Sequence, residues 1–240
     1  MRLDVALVDR GLAQSRTRAR TMINSGAVTL NGEPCTKPAQ EVAPSDLLAC
    51  ADVDPYVSRA AHKLLGALDD FELEVSGRAL DAGASTGGFT QVLLERGSDH
   101  VYAVDVGHGQ LHPRVAADSR VTSWERLHLR DLTLDHTGGE PVDLVVADVS
   151  FISLTMISEP ILAVAAPEAV ALLMVKPQFE VGRERLGAGG VVTDPADRAM
   201  AVEQVLAHVR TLGWRCRARA ESRLPGPAGN REEFVLLERS

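Results

Sequence analysis

The stretch Arg78-Ala-Leu-Asp-Ala-Gly-Ala-Ser-Thr-Gly-Gly-Phe-Thr90 constrains this chain most, because a short apolar run there breaks into a glycine-rich turn that opens a helical pattern. It reads as a strand, a turn and a helix built around a ligand. Gly83 permits a sharp turn, Gly87 and Gly88 let the backbone approach a ligand closely, and the helix start offers free N–H groups to a polar or anionic group. Two familiar nucleotide motifs nearly fit, and both fail. A phosphate-binding loop needs Lys before its last Ser or Thr, whereas Gly83-x-x-x-x-Gly88 is followed by Phe89 and Thr90. A dinucleotide fingerprint needs glycine two places after the first, where Ser85 stands. The S-adenosylmethionine version of the turn remains. Val101-Tyr-Ala-Val-Asp105 then supplies a second strand ending in a carboxylate, about twenty residues on, where a ribose diol is bonded.

A chain of 240 residues has room for a full α/β core and one small extra domain. Cys35, Cys50 and Cys216 are too widely spaced for a metal site or a disulfide framework, which points to a reducing, cytoplasmic compartment. The most apolar stretch, Ile152 to Val175, is interrupted by Glu159-Pro160 and Pro167-Glu168, and no membrane span is expected. With a formal net charge of −8, any binding of nucleic acid must come from local basic clusters.

Of the 25 basic residues only Lys37, Lys63 and Lys176 are lysines. Where positive charge alone is needed this chain uses Arg, so a retained Lys marks a place that calls for a compact amine with a tunable pKa. Lys176 ends the apolar run Ala169–Val175 and precedes Pro177, at the mouth of a buried strand. Lys63 lies in Ser58-Arg-Ala-Ala-His-Lys-Leu-Leu, at the start of an amphipathic helix. Two further acidic positions fall at strand ends. Pro141–Asp148 reads as a fourth, parallel strand closing on Asp148, and Gly229–Leu237 as a turn feeding a last strand that begins with Glu232 and Glu233. Adjacent strand residues face opposite ways, so only one of the two glutamates points into the site.

The first fifty residues differ in kind. Leu3–Gly11 predicts a short amphipathic helix, Ser15–Asn24 a second with Ser15 as its cap, and Ala27–Leu30 followed by Asn31-Gly32 a hairpin. Arg16, Arg18 and Arg20 crowd the second helix, with Lys37 beyond the hairpin, and together they suit a phosphate backbone.

Arg2-Leu-Asp, Gly11-Leu, Ser15-Arg16, Ile23, Gly26-Ala-Val, Asn31-Gly32 and Lys37-Pro38 resemble an S4 RNA-binding domain. Ser58-Arg, His62-Lys-Leu64, Asp81–Phe89, Asp105-Val-Gly, Gly109-Gln-Leu111, Asp148-Val-Ser-Phe-Ile-Ser153, Val175–Glu180 and Gly229-Asn230 resemble the TlyA family, so the likeness spans nearly the whole chain. That family consists of ribosomal RNA 2′-O-methyltransferases, historically labelled hemolysins, in which an S4 domain is fused to an FtsJ-like methyltransferase. The resemblance implies an α/β fold: a Rossmann-like class I S-adenosylmethionine-dependent methyltransferase over 59–240, a linker at 52–58, and a small N-terminal α+β S4 RNA-binding domain over 1–51. It implies a Lys-Asp-Lys-Glu tetrad on Lys63, Asp148, Lys176 and Glu232, choosing Glu232 over Glu233. The cofactor implied is S-adenosylmethionine, held along Asp81, Gly83, Ala84, Ser85, Thr86, Gly87, Gly88 and Phe89, on Asp105 and Val106, and at His128. His128 stands where the family commonly has Asn near the adenine. Contacts to ribosomal RNA are implied for Arg2, Arg16, Arg18, Arg20 and Lys37, and no metal is implied.

The chemistry accounts for those residue types. A ribose 2′-hydroxyl is a poor nucleophile that must lie in line with a sulfonium methyl while losing its proton. Lys176 is the candidate for contact with that hydroxyl, as base when neutral or as a brace for oxyanion charge when protonated, with Asp148 and Glu232 orienting the amines. An amine-directed methyltransferase would carry Asn or Asp, then Pro-Pro and an aromatic, after its fourth strand, and here Val-Ser-Phe follows Asp148. A non-catalytic RNA-binding protein has no use for an intact tetrad. The family implies cytidine as target, and the short ends of this chain lead us to expect large-subunit RNA first, with small-subunit RNA open.

Overall fold

The computed structural model describes residues 1–13, 15–51 and 54–240, which divide by contact into two units, Met1–Pro55 and Tyr56–Ser240. Asp52 and Val53, in the expected linker, lie outside the described residues. In the first unit, α1 (Leu3–Asp9) and α2 (Arg16–Asn24) bury Leu3 and Leu7 against Ala19, Met22 and Ile23, the spacing of one apolar helix face. The Ser15 hydroxyl accepts from the Arg18 N–H at 3.2 Å and caps α2, as its position predicts. β1 (Val28–Leu30) and β2 (Glu33–Pro34) form the expected hairpin, with Asn31 and Gly32 both left-handed, at φ 53° and 89°. A third strand, β3 (Leu48–Cys50), pairs with the other edge of β1.

The second unit opens with α3 (Ala60–Asp70), which carries Lys63, and continues through β4 (Arg78–Ala82), α4 (Gly88–Glu95), β5 (His100–Asp105), α5 (Pro113–Ala116) and β6 (Val121–Glu125). β7 (Val142–Ala147), α6 (Ser158–Ala163), β8 (Ala165–Val175), α7 (Pro177–Glu180), α8 (Pro195–Thr211), β9 (Trp214–Glu221) and β10 (Glu233–Arg239) complete it. The sheet order is β6-β5-β4-β7-β8-β10-β9, with every pairing from β6 to β8 parallel and the two pairings of β10 antiparallel. This is the doubly wound arrangement expected from the strand pattern.

Both faces of the sheet are covered, which explains why its central strands read as apolar throughout rather than alternating. Along β7, Val145 and Ala147 pack into one core with Ile161 of α6 and Val205 of α8, while Leu144 and Val146 pack into the other with Leu64 of α3 and Val92 of α4. Phe234 of β10 sits in that second core, stacked on Phe89 of α4 at a centroid distance of 6.3 Å and almost fully buried. It joins the antiparallel edge to the helix that follows the glycine turn. Phe234→Ala is expected to cost about 3–5 kcal/mol of stability, read from urea denaturation, since it leaves a cavity between two covered layers; a loss below about 1 kcal/mol would show that the second core closes around the gap.

Candidate active site

β4 and β7 are parallel neighbours, but the chain leaves β4 for β5 and β6 on one side and returns to β7 on the other. A crevice opens between their carboxyl ends. Gly83 forms its floor: its N–H donates to Val104 O at 2.8 Å, its φ is 89°, and a Cβ there would lie 2.9 Å from Asp148 O. No side chain fits. Ser85 also takes a left-handed conformation, φ 46°, held by its N–H donating to Asp105 Oδ2 at 2.9 Å. The other Asp105 oxygen accepts from Gly107 N at 2.7 Å, so one carboxylate at the end of β5 fixes both this turn and its own loop. Each oxygen keeps a second lone pair for a ligand.

Two adjoining hollows share Gly83, Ser85, Asp148 and Ser150. One, of about 560 Å³, is lined further by Asp105, Val106, Gln110, His128 and the loop to Ile152. The other, of about 430 Å³, is lined by Ala84, Thr86, Gly88 and Phe89 together with Ser58, Arg59, Lys63, Lys176 and the segment around Pro225 and Pro227. Asp81 and Gly87 line neither. Gly87 instead starts α4 at φ 90°, where a Cβ would meet Leu111 Cδ1 at 2.7 Å. Asp81 lies wholly buried beneath the turn, its Oδ2 accepting from the Thr90 hydroxyl at 2.6 Å and its Oδ1 without a hydrogen-bond partner among the described residues. His128, which lines the same hollow as Asp105, accepts from Arg130 N–H through Nδ1 at 3.3 Å, which fixes its ring.

Two ion pairs at the second hollow draw on four distant segments, with Glu232 buried behind the lining. Lys63 Nζ donates to Glu232 Oε2 at 2.5 Å, and Lys176 Nζ lies 2.6 Å from Asp148 Oδ1 while donating to Ser150 Oγ at 2.9 Å. Both lysines are only 8% exposed and Glu232 1%. Glu232 comes just before β10, and its neighbour Glu233 turns to the opposite side, where it accepts from Arg219 at 2.5 Å. The alternation left that choice open, and the structure assigns the inward place to Glu232. A Cβ on Gly226 would sit 2.6 Å from Glu232 Oε1, so a side chain there would have to displace the carboxylate that holds Lys63. Ser150 carried only a weak signal, its place two residues past Asp148. Gly226 carried none, because a glycine among loop prolines is ordinary.

The FtsJ-like methyltransferase family matches residues 56–239 and the S4 domain family residues 1–48. The chain is 48% identical to the 16S/23S rRNA (cytidine-2′-O)-methyltransferase TlyA of Mycobacterium tuberculosis, covering 98% of this chain and 89% of that one. The chain belongs to the TlyA family. A second TlyA-family relative, the 23S rRNA (cytidine-2′-O)-methyltransferase of Campylobacter jejuni, is 33% identical over 98% of both chains. Among solved structures, a putative hemolysin from Streptococcus thermophilus superposes with a TM-score of 0.78 at 34% identity, covering 100% of this chain and 88% of that one. The second unit therefore has the class I S-adenosylmethionine-dependent methyltransferase fold, and the first holds the S4 domain. Among the described residues no helix is long and apolar enough to cross a membrane, and no group of His, Cys, Asp and Glu is placed to hold a metal ion.

In this TlyA-family site, burial above all pushes the Asp81 carboxyl from 3.8 up to about 7, with the Thr90 hydrogen bond opposing and the Asp148 and Asp105 charges adding to the rise. The folded chain thus keeps a proton that the unfolded chain releases, so stability falls as pH rises through that window and is level above it. Asp81→Asn fits the same space without that dependence. The urea midpoint of the wild type, relative to the variant, is expected to drop between the two values, and a difference independent of pH would show that Asp81 is ionised in the fold.

Proposed function

We propose that this chain transfers the methyl group of S-adenosylmethionine to the 2′-hydroxyl of a cytidine in ribosomal RNA, with large-subunit RNA as the first substrate. One observation carries the reading: Lys63, Asp148 and Lys176 line one hollow, with Glu232 buried behind Lys63 as its partner, and that hollow adjoins a glycine-floored crevice with a carboxylate at the end of its second strand. The printed functions of the Mycobacterium tuberculosis and Campylobacter jejuni relatives support the choice of cytidine, ribose and large-subunit RNA.

The residues present suit the cofactor. Gly83 clears space that any Cβ would fill, Asp105 offers lone pairs suited to a ribose diol, and His128, Val106 and Gln110 wall the place for a base. Ala84, Ser85, Thr86, Gly88 and Phe89 would line the amino-acid end, with Asp81 and Gly87 acting from beneath to hold the turn. When bound, S-adenosylmethionine supplies an electrophilic methyl on a sulfonium. Lys176, oriented by Asp148 and Ser150, would meet the 2′-oxygen, accepting its proton when neutral or, when protonated, stabilising the charge that grows there as the proton passes to water. Lys63, fixed by Glu232 and lining the same hollow, would add positive charge near that oxygen. The segment 1–51 would bring the RNA through Arg2, Arg16, Arg18, Arg20 and Lys37, joined by 52–58 to the catalytic part at 59–240.

Tritiated methyl transfer to unmodified ribosomal subunits of both kinds, with the labelled nucleotide mapped, tests the reading. Wild type is expected to label a cytidine ribose in the large subunit, and Lys176→Ala to lose at least a hundredfold in rate, the scale of one lost general base or oxyanion contact, with cofactor affinity by calorimetry nearly unchanged. Asp105→Ala is expected to weaken cofactor affinity first. A Lys176→Ala enzyme as fast as wild type would remove that lysine from the chemistry, and label on a base amine would replace the reaction.

A further inference from the structure

In the first unit a single carboxylate is held by three arginines. Asp4, wholly buried on α1, accepts from Arg2 Nε at 3.0 Å and Nη2 at 3.3 Å, from Arg16 Nη2 at 3.1 Å and from Arg20 Nε at 3.0 Å. The Arg2 hydrogen bonds above all, with those of Arg16 and Arg20, hold its carboxyl well below the usual range against the effect of burial. The arginine side chains remain 47%, 56% and 51% exposed. The acid is underneath and the cations are on top. Arg18, on the same helix, makes no side-chain bond among the described residues, so the convergence on Asp4 is selective.

We propose that Asp4 is a positioning residue that assembles Arg2, Arg16 and Arg20 into a preformed site for the phosphodiester backbone of RNA. This rests on the RNA-directed reading above and adds to it. Three guanidinium groups on one carboxylate leave two positive charges that Asp4 does not balance in a small area, and each guanidinium keeps N–H donors that Asp4 does not engage. Phosphate oxygens match that forked geometry. Long exposed arginines ordinarily lose rotamer freedom when they bind, and a carboxylate that has already fixed them removes most of that cost. The buried acid, though negative, therefore strengthens the capture of a polyanion.

The proposal makes a prediction opposite in sign to simple charge counting. Asp4→Asn makes the surface more positive, yet Asn has one acceptor oxygen where Asp has two and turns an amide donor toward the arginines. With full-length protein and unmodified large ribosomal subunits, followed from about 50 to about 200 mM salt, affinity is expected to fall five- to twentyfold with the salt slope kept, because the same phosphates are still contacted. Arg16→Ala is expected to lower that slope by about one. Arg20→Lys, which keeps the charge and loses the fork, is expected to fall severalfold and serves if Asp4→Asn does not fold. Unchanged or tighter binding by a folded Asp4→Asn, or by Arg20→Lys where Asp4→Asn loses its thermal transition, would overturn the proposal, as would weaker binding by a folded Asp4→Asn accompanied by a collapsed salt slope. Failure of the wild type to bind subunits at all would instead sink the RNA-directed reading, so the two failures are distinguishable.

Discussion

Two lysine amines are buried in one hollow, and the catalytic unit is organised around the requirement that each meet a carboxylate. A buried charge without a partner is very costly, and the pairs Lys63–Glu232 and Lys176–Asp148 remove that cost by drawing on α3, the end of β7, the end of β8 and the entry to β10. None of these segments is adjacent in sequence. The pairing thus sets the site and also pins the antiparallel edge of the sheet to the helix before β4. Geometry elsewhere follows from it: a side chain at Gly226 would press on the Glu232 carboxylate, and Gly83 must lack one because the backbone of Asp148 passes over it.

The glycine turn shows a second economy in the fold. Asp105 binds the backbone of Ser85 and of Gly107 at once, so the left-handed Ser85 is held by the residue that closes the neighbouring strand. A non-glycine residue at positive φ is strained unless its surroundings over-determine it. Here the strain is local to the crevice floor, and the carboxylate that resists it is the one proposed to hold the cofactor's ribose. Preorganisation and ligand binding share a group, which ties the shape of the floor to the chemistry above it.

What could be read in the sequence follows from how local each signal is. Gly83, Asp105, Asp148 and Lys176 were visible because each ends or follows an apolar strand, and in an open parallel sheet such ends face one crevice. Asn31-Gly32 was visible because two left-handed residues in a row admit few alternatives. Glu232 was not separable from Glu233 by alternation alone, since parity needs a reference that only the paired strands supply. β3 escaped notice because three residues are too few to show a period. The Asp4 cluster escaped for another reason: Arg16 and Arg20 are twelve and sixteen positions from Asp4, and only the packing of α1 on α2 brings them together. The sequence grouped those arginines on one helix without showing what arranges them.

The division of labour between Arg and Lys gives the chain's charge a physical meaning. Two of its three lysines, Lys63 and Lys176, lie buried in the candidate active site, where a compact amine meets a carboxylate at short range. Arginines do the structural pairing, as Arg78 with Glu140, Arg120 with Asp118, Arg219 with Glu203 and Glu233, and Arg231 with Glu221. In those pairs positive charge is spent against the acidic excess of the surface, and exposed pairs of this kind add little stability. The net charge of −8 therefore says little about affinity for RNA. What matters is where arginines outnumber the acid they touch, and around Asp4 they do so three to one. An acidic protein can present a basic face if its carboxylates are placed under the arginines instead of beside them.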